Sequence, residues 1–242
     1  MAPKIYHLHP LVAGPIAGWS RHLSRCRAMG FNYAASAPLF KPGRAGDLFL
    51  TADHETLHPA LGAAVPADPA IASVVRECRR HDLGFILDVV FDRVAADATI
   101  RQREPDWFES AIDTGDDSPD PRQPPRNREL AHACFDRAEA AEQLAHWWIG
   151  RLIRLARAGV SGFRCLRPDR VPADIWREII GGVRADAPQC RFLAWTPGIA
   201  RDAIGQLAGV GFDYVGSSLA WWDARASWLA EEADALRHVA PT

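Results

Sequence analysis

Lysine is nearly absent from this sequence: Lys4 and Lys41 are the only two among 28 basic residues. An imine-forming enzyme needs an inward-facing lysine, and no candidate strand offers one apart from Lys4 at an edge. Schiff-base chemistry is therefore excluded. Cysteine is sparse too. Cys26, Cys78, Cys134, Cys165 and Cys190 are odd in number, widely spaced and never in a Cys-x-x-Cys pair. They set up neither a zinc site nor a disulfide framework and read as small buried apolar residues. The N-terminus has no signal-like pattern, so a reducing cytoplasm is the expected location. After His146 the only histidine is His238. His7 and His9 would share a strand face as metal ligands, but later strands supply no others. No metal is expected. A Gly-rich turn after a strand is missing as well, since Gly181-Gly182 falls at a helix end, so no nucleotide cofactor is expected. Apolar runs such as residues 84–90 fall far short of the ~20 residues that span a bilayer. Nor does one sign of charge dominate: 28 basic residues face 30 acidic ones, for a net charge of −2. Nucleic acid and membrane are not expected partners, and no cofactor is expected.

What the sequence does have is alternation of short apolar runs with amphipathic stretches, the pattern of a parallel sheet with crossover helices. Candidate strands are 5–10, 32–40, 84–92, 162–168, 191–197 and 211–220. The clearest is 84–92, a nearly continuous apolar run of the kind buried parallel strands require. Helices are expected at 19–29, 69–81, 138–158, 173–184, 200–207 and 224–238. In 138–158, Leu144, Ala145, Trp148, Ile149, Leu152, Ile153 and Ala156 recur at helical spacing. Residues 97–136, rich in Pro and charge without periodicity, read as one long surface loop. The expectation is a single α/β domain over 1–242 with about six βα units. Six units suit an incomplete (β/α)8 TIM-type barrel and an open doubly wound sheet equally well. Periodicity does not separate them.

Four segments, in order, resemble the α-amylase superfamily, glycoside hydrolase family 13. Leu87-Asp88-Val89-Val90-Phe91-Asp92-Arg93-Val94 is similar to its first signature, an aspartate followed by apolar residues and a polar end. Gly162-Phe163-Arg164-Cys165-Leu166 resembles its Gly-Phe-Arg-x-Asp, and Phe192-Leu193-Ala194-Trp195 the segment ending in the general-acid glutamate. Ala52-Asp53-His54 with Leu57-His58-Pro59-Ala60-Leu61-Gly62 resembles the loop after the second strand. That loop, together with residues 7–11 and 212–214, is closest to the maltosyltransferase branch that uses maltose 1-phosphate. The resemblance spans nearly the whole chain, although no single motif is intact.

The resemblance implies a barrel with retaining α-glucan chemistry, which needs a carboxylate nucleophile and a carboxyl acid/base about 5–5.5 Å apart. Residues 164 and 166 share a strand face, so the family arginine and nucleophile positions both point at the site. Position 166 is leucine, with no lone pair, and position 195 is tryptophan, whose N–H is no useful acid. The family's third carboxylate belongs to a His-Asp segment on a seventh strand, and none follows the sixth strand here. Catalytic inactivity is expected. Asp88, Arg93, Arg164, Trp107 and Trp222 are the candidate substrate-contacting residues, with α-glucan or malto-oligosaccharide as ligand. For Asp88 and Asp92 the alternative is a structural acid and a partner for Arg93. Asp169 lies on a loop, and Asp174 and Glu178 on an outer helix, so none replaces the nucleophile. Trp107-Phe108 and Trp221-Trp222 sit where barrel ligands bind, either stacking on sugar or plugging the mouth with Trp195. Trp147, Trp148, Trp176 and Trp228 read as core. A barrel two strands short exposes edges, so an oligomer or a partner chain is expected to cover them.

Overall fold

The structure, a computed structural model, describes residues 3–63, 65–111 and 130–242. The chain begins with β1 (Ile5–Leu8), a one-turn helix α1 (Pro10–Ala13) and α2 (Ser20–Ala28), then β2 (Tyr33–Ser36). A hairpin of β3 (Phe40–Pro42) and β4 (Thr51–Leu57) leads to α3 (Ala67–Arg80) and β5 (Gly84–Val90). Beyond β5 come β6 (Arg93–Ala95), α4 (Thr99–Arg103), β7 (Phe108–Ala111) and β8 (Leu130–Ala133). Then follow α5 (Ala138–Arg157), β9 (Gly162–Leu166), α6 (Ala173–Asp186) and β10 (Arg191–Trp195). The chain closes with α7 (Arg201–Gly205), β11 (Tyr214–Val215) and α8 (Trp228–Arg237).

Six strands form one parallel sheet in the order β1-β2-β5-β9-β10-β11. Each strand lies beside the next one of the sheet in sequence. A doubly wound sheet reverses direction at a switch point, and this order never reverses. It is the order of a barrel wall, curling one way, with six of the eight strands a closed barrel has. The two faces confirm it. Ala34, Phe85, Leu87, Val89, Phe163, Cys165, Phe192 and Ala194 join the main core under the helices. Ala35, Ile86 and Leu193 form a separate small cluster on the inner face, with Ile5, Tyr33 and Tyr214 packed against it.

The helices read as their residues require. Asp68 stands in the first turn of α3 and Arg79 and Arg80 in its last, both favourable to the helix dipole. The inward stripe of α5 runs Leu144, Ala145, Trp148, Arg151, Leu152 and Leu155. Ile149 and Ile153 are only half-buried and lie at its edge. A Cβ at Gly182 would meet Ile149 Cδ1 at 2.8 Å, so the glycine lets α6 press close to α5.

Two stretches differ from their sequence reading. Residues 97–136 are not one irregular loop. Their described parts contain α4 and the strands β7 and β8, which join the preceding β6 in an antiparallel sheet ordered β6-β8-β7, while 112–129 lie outside the described residues. The connection after β2 likewise contains the β3–β4 hairpin. The last strand is only two residues long, and the last helix begins at Trp228, not 224. No helix of the described residues is long and apolar enough to cross a membrane. All five cysteines are buried and unpaired.

Candidate functional site

Strand alternation and register decide what faces the barrel interior. Asp88 on β5 pairs in register with Arg164 on β9, which pairs with Leu193 on β10. Two residues nearer the strand ends, Val90, Leu166 and Trp195 form the next inward row. His7 lies opposite Ala35, on the same face from the edge strand β1. The side chains close a cluster across these strands. Arg164 donates from Nε to Asp88 Oδ1 at 2.7 Å and from Nη2 to Oδ2 at 2.5 Å. His7 Nε2 lies 3.2 Å from the same Oδ2. The Arg164 guanidinium also stacks 4.4 Å from the centroid of the Trp195 ring.

Asp88 is fully buried. Burial by itself would raise its carboxyl, but the Arg164 charge and the hydrogen bonds from His7 and Arg164 outweigh that. Its carboxyl is held below the ordinary range, so Asp88 is an anion with both oxygens engaged. The Leu166 side chain has 2% exposure and offers the interior only methyl groups. Immediately after it, Arg167 adopts the left-handed region at φ 50° and ψ 51° and clamps Asp169 through two hydrogen bonds of 3.1 and 2.8 Å. A non-glycine residue in that region is uncommon, and it marks the corner where β9 leaves the barrel.

No family model matches this chain. It is 34% identical over 239 residues to an alpha-1,4-glucan:maltose-1-phosphate maltosyltransferase of Burkholderia pseudomallei (strain K96243). The match covers 98% of this chain and 21% of that protein, so the chain spans about a fifth of that relative's length. Among solved structures, an alpha-amylase from Lactobacillus plantarum superposes with a TM-score of 0.71 at 17% identity, over 97% of this chain and 58% of that one. The alpha-amylase of Geobacillus thermoleovorans complexed with acarbose gives 0.65 at 19% identity, over 88% and 51% of the two chains. The chain has the fold of an α-amylase barrel. Its fold is the incomplete barrel, and its sequence relationship runs to the maltosyltransferase.

Within this α-amylase-type domain the sequence-predicted residues fall into separate places. Asp88 and Arg164 come together, with His7 and Trp195, on the inner face. Arg93 does not join them: it opens β6, and its Nη1 lies 3.6 Å from Asp92 Oδ2. Asp92 itself is buried, and neither of its oxygens has a hydrogen-bond partner among the described residues. Trp107 is 8% exposed, belongs to the helix-side core and donates Nε1–H to Gln143 Oε1 on α5 at 2.9 Å. That places it on the outer flank, not among the inner-face residues. Trp222 lies beyond β11, exposed, with its N–H given to the Ala226 carbonyl at 2.7 Å. Trp148 and Trp176 are core; Trp147 and Trp228 are only half-buried. Among the described residues no group of three or more His, Cys, Asp or Glu could hold a metal.

Sequence reasoning missed the His7–Asp88 contact and the Arg167–Asp169 clamp. A strand-end histidine facing an aspartate two strands away was the available signal for the first. Nothing local distinguishes Arg167 from any other loop arginine.

Proposed function

We propose that this domain is a non-catalytic α-amylase-type barrel that binds α-glucan at its mouth. One observation carries the reading. On neighbouring strands Leu166 and Trp195 stand in register, at the positions that the family resemblance assigns to the nucleophile and the acid. Retaining hydrolysis needs two carboxyl groups about 5–5.5 Å apart, and this pair offers neither a lone pair for attack nor a proton of useful acidity. Asp88, the carboxylate this face does carry, is fully buried and spent on Arg164 and His7. Arg164 is thereby held between Asp88 and the Trp195 ring instead of beside a nucleophile.

Ligand class is supported by the activities named for the similar proteins and by one exposed aromatic side chain beyond the strand ends. Trp222 keeps an exposed indole past β11. Titration with maltotriose tests this. The domain is expected to bind it saturably, and Trp222→Ala to weaken binding roughly 3- to 10-fold, the worth of one aromatic contact. Unchanged affinity in that variant would remove Trp222 from the site.

A second reading is favoured by β1, which has a sheet neighbour on one side only among the described residues. In it, a second copy or another chain covers the sheet edge. Light scattering that gives the mass of one 26.6 kDa chain would dispose of a second copy.

A further inference from the structure

Outside the barrel mouth, β4, α4 and α5 enclose a pocket of about 220 Å³ on the flank of the domain. Two indoles, Trp107 and Trp147, line it, and its rim carries Asp53, Glu55, Arg103 and Glu104. The buried ring of His54 backs Trp147 edge-on, with centroids 5.2 Å apart. Burial and the nearby Arg151 guanidinium push the His54 imidazole down to about 3, so it is neutral at ordinary pH. The Trp107 N–H is spent on Gln143 and the residue is only 8% exposed, so the half-buried Trp147 supplies most of the ring surface a ligand can reach. Arg103 and Glu104, in contrast, have no side-chain partner among the described residues. The pocket therefore combines apolar ring surface with unspent donors and acceptors.

From this geometry we infer that the flank pocket is a second saccharide site, taking one or two glucosyl units of an α-glucan. The ligand class rests on the α-glucan reading above; the location does not. The unspent donors and acceptors of the rim favour a neutral sugar over the other guest that paired indoles attract, an organic cation. Both Asp53 oxygens are already taken, by the Glu55 N–H at 2.9 Å and the Thr56 hydroxyl at 2.6 Å. Glu55 is paired with Arg154 at 2.6 Å. Glu104 stands beside Arg103 in the same lining. Asp53 keeps its charge, so the rim carries one negative charge more than Arg103 and Arg154 offset, but the Arg103 guanidinium, unpartnered among the described residues, opposes a cation and can donate to hydroxyls. A neutral polyhydroxyl ring, with apolar faces and hydroxyls at its edge, satisfies both the indoles and the rim.

The test follows indole N–H resonances of the full chain during titration with maltotriose and, separately, tetramethylammonium. The Trp107 and Trp147 signals are expected to move saturably with maltotriose. Arg103→Ala combined with Glu104→Gln, both exposed rim positions, should raise that dissociation constant about tenfold, the worth of one or two lost hydrogen bonds. Signals from Trp107 and Trp147 that stay fixed with maltotriose overturn the inference, as does movement with tetramethylammonium alone, which would make the pocket a cation cage. The Trp222 resonance reports the mouth independently. If it stays fixed while the flank signals move, the mouth reading fails and the flank site stands.

Discussion

At the residue scale, the inner face holds its buried carboxylate by engaging both of its oxygens. Asp88 has no exposure, and a carboxylate in that position is tolerable only because Arg164 and His7 satisfy it. Removing one partner of such a buried pair typically costs about 3–5 kcal/mol. His54 is the opposite case, a buried imidazole kept neutral. Its folded value lies near 3 against an ordinary 6.5, through burial first and the Arg151 charge second. As pH falls below 6.5 the unfolded chain takes up a proton that the folded chain refuses until about 3. The unfolded state then binds more protons, so stability falls with pH through that window. Urea denaturation at about pH 7 and about pH 5 should show a larger loss in the parent chain than in His54→Phe. Equal losses would mean that His54 titrates normally in the fold.

At the element scale, the inner face is kept clear by glycine where strands come closest. Gly162 pairs with Ile86 on one side and Arg191 on the other. A Cβ there would meet the Arg191 carbonyl oxygen at 2.6 Å, a backbone atom that cannot swing aside. Gly162→Ala is expected to destabilise the domain by about 1–3 kcal/mol, the usual cost of overpacking, read as a lower denaturation midpoint. An unchanged midpoint would mean that β9 and β10 separate easily. Elements of this kind were legible where pattern and burial coincide. β5, β9 and β10 are short apolar runs, and α5 carries its stripe at helical spacing. The β3–β4 hairpin and the β6-β8-β7 sheet were not legible. Lys41, Pro42, Glu109 and His132 break any alternation there, and strand pairing, not local preference, makes those residues strands.

At the scale of the whole molecule, the count of six units was readable and their arrangement was not. A barrel wall and a doubly wound sheet share the same local pattern; only the non-reversing strand order distinguishes them. The placement of Leu166 was readable from alternation against Arg164, because side chains on one strand face repeat every two residues. The flank position of Trp107 was not, because it depends on how the segment after β6 folds back onto α5. These placements support the account proposed above, an α-amylase-type fold in which the positions that the resemblance assigns to acid and nucleophile hold an aromatic and an apolar side chain. The most direct test is turnover. Purified chain is incubated with maltotriose, and separately with maltose 1-phosphate and a glucan acceptor, and the products are resolved chromatographically. The account predicts no product above the protein-free blank. Product formation that is abolished by changing a single carboxylate, Asp88 or any other, would contradict it.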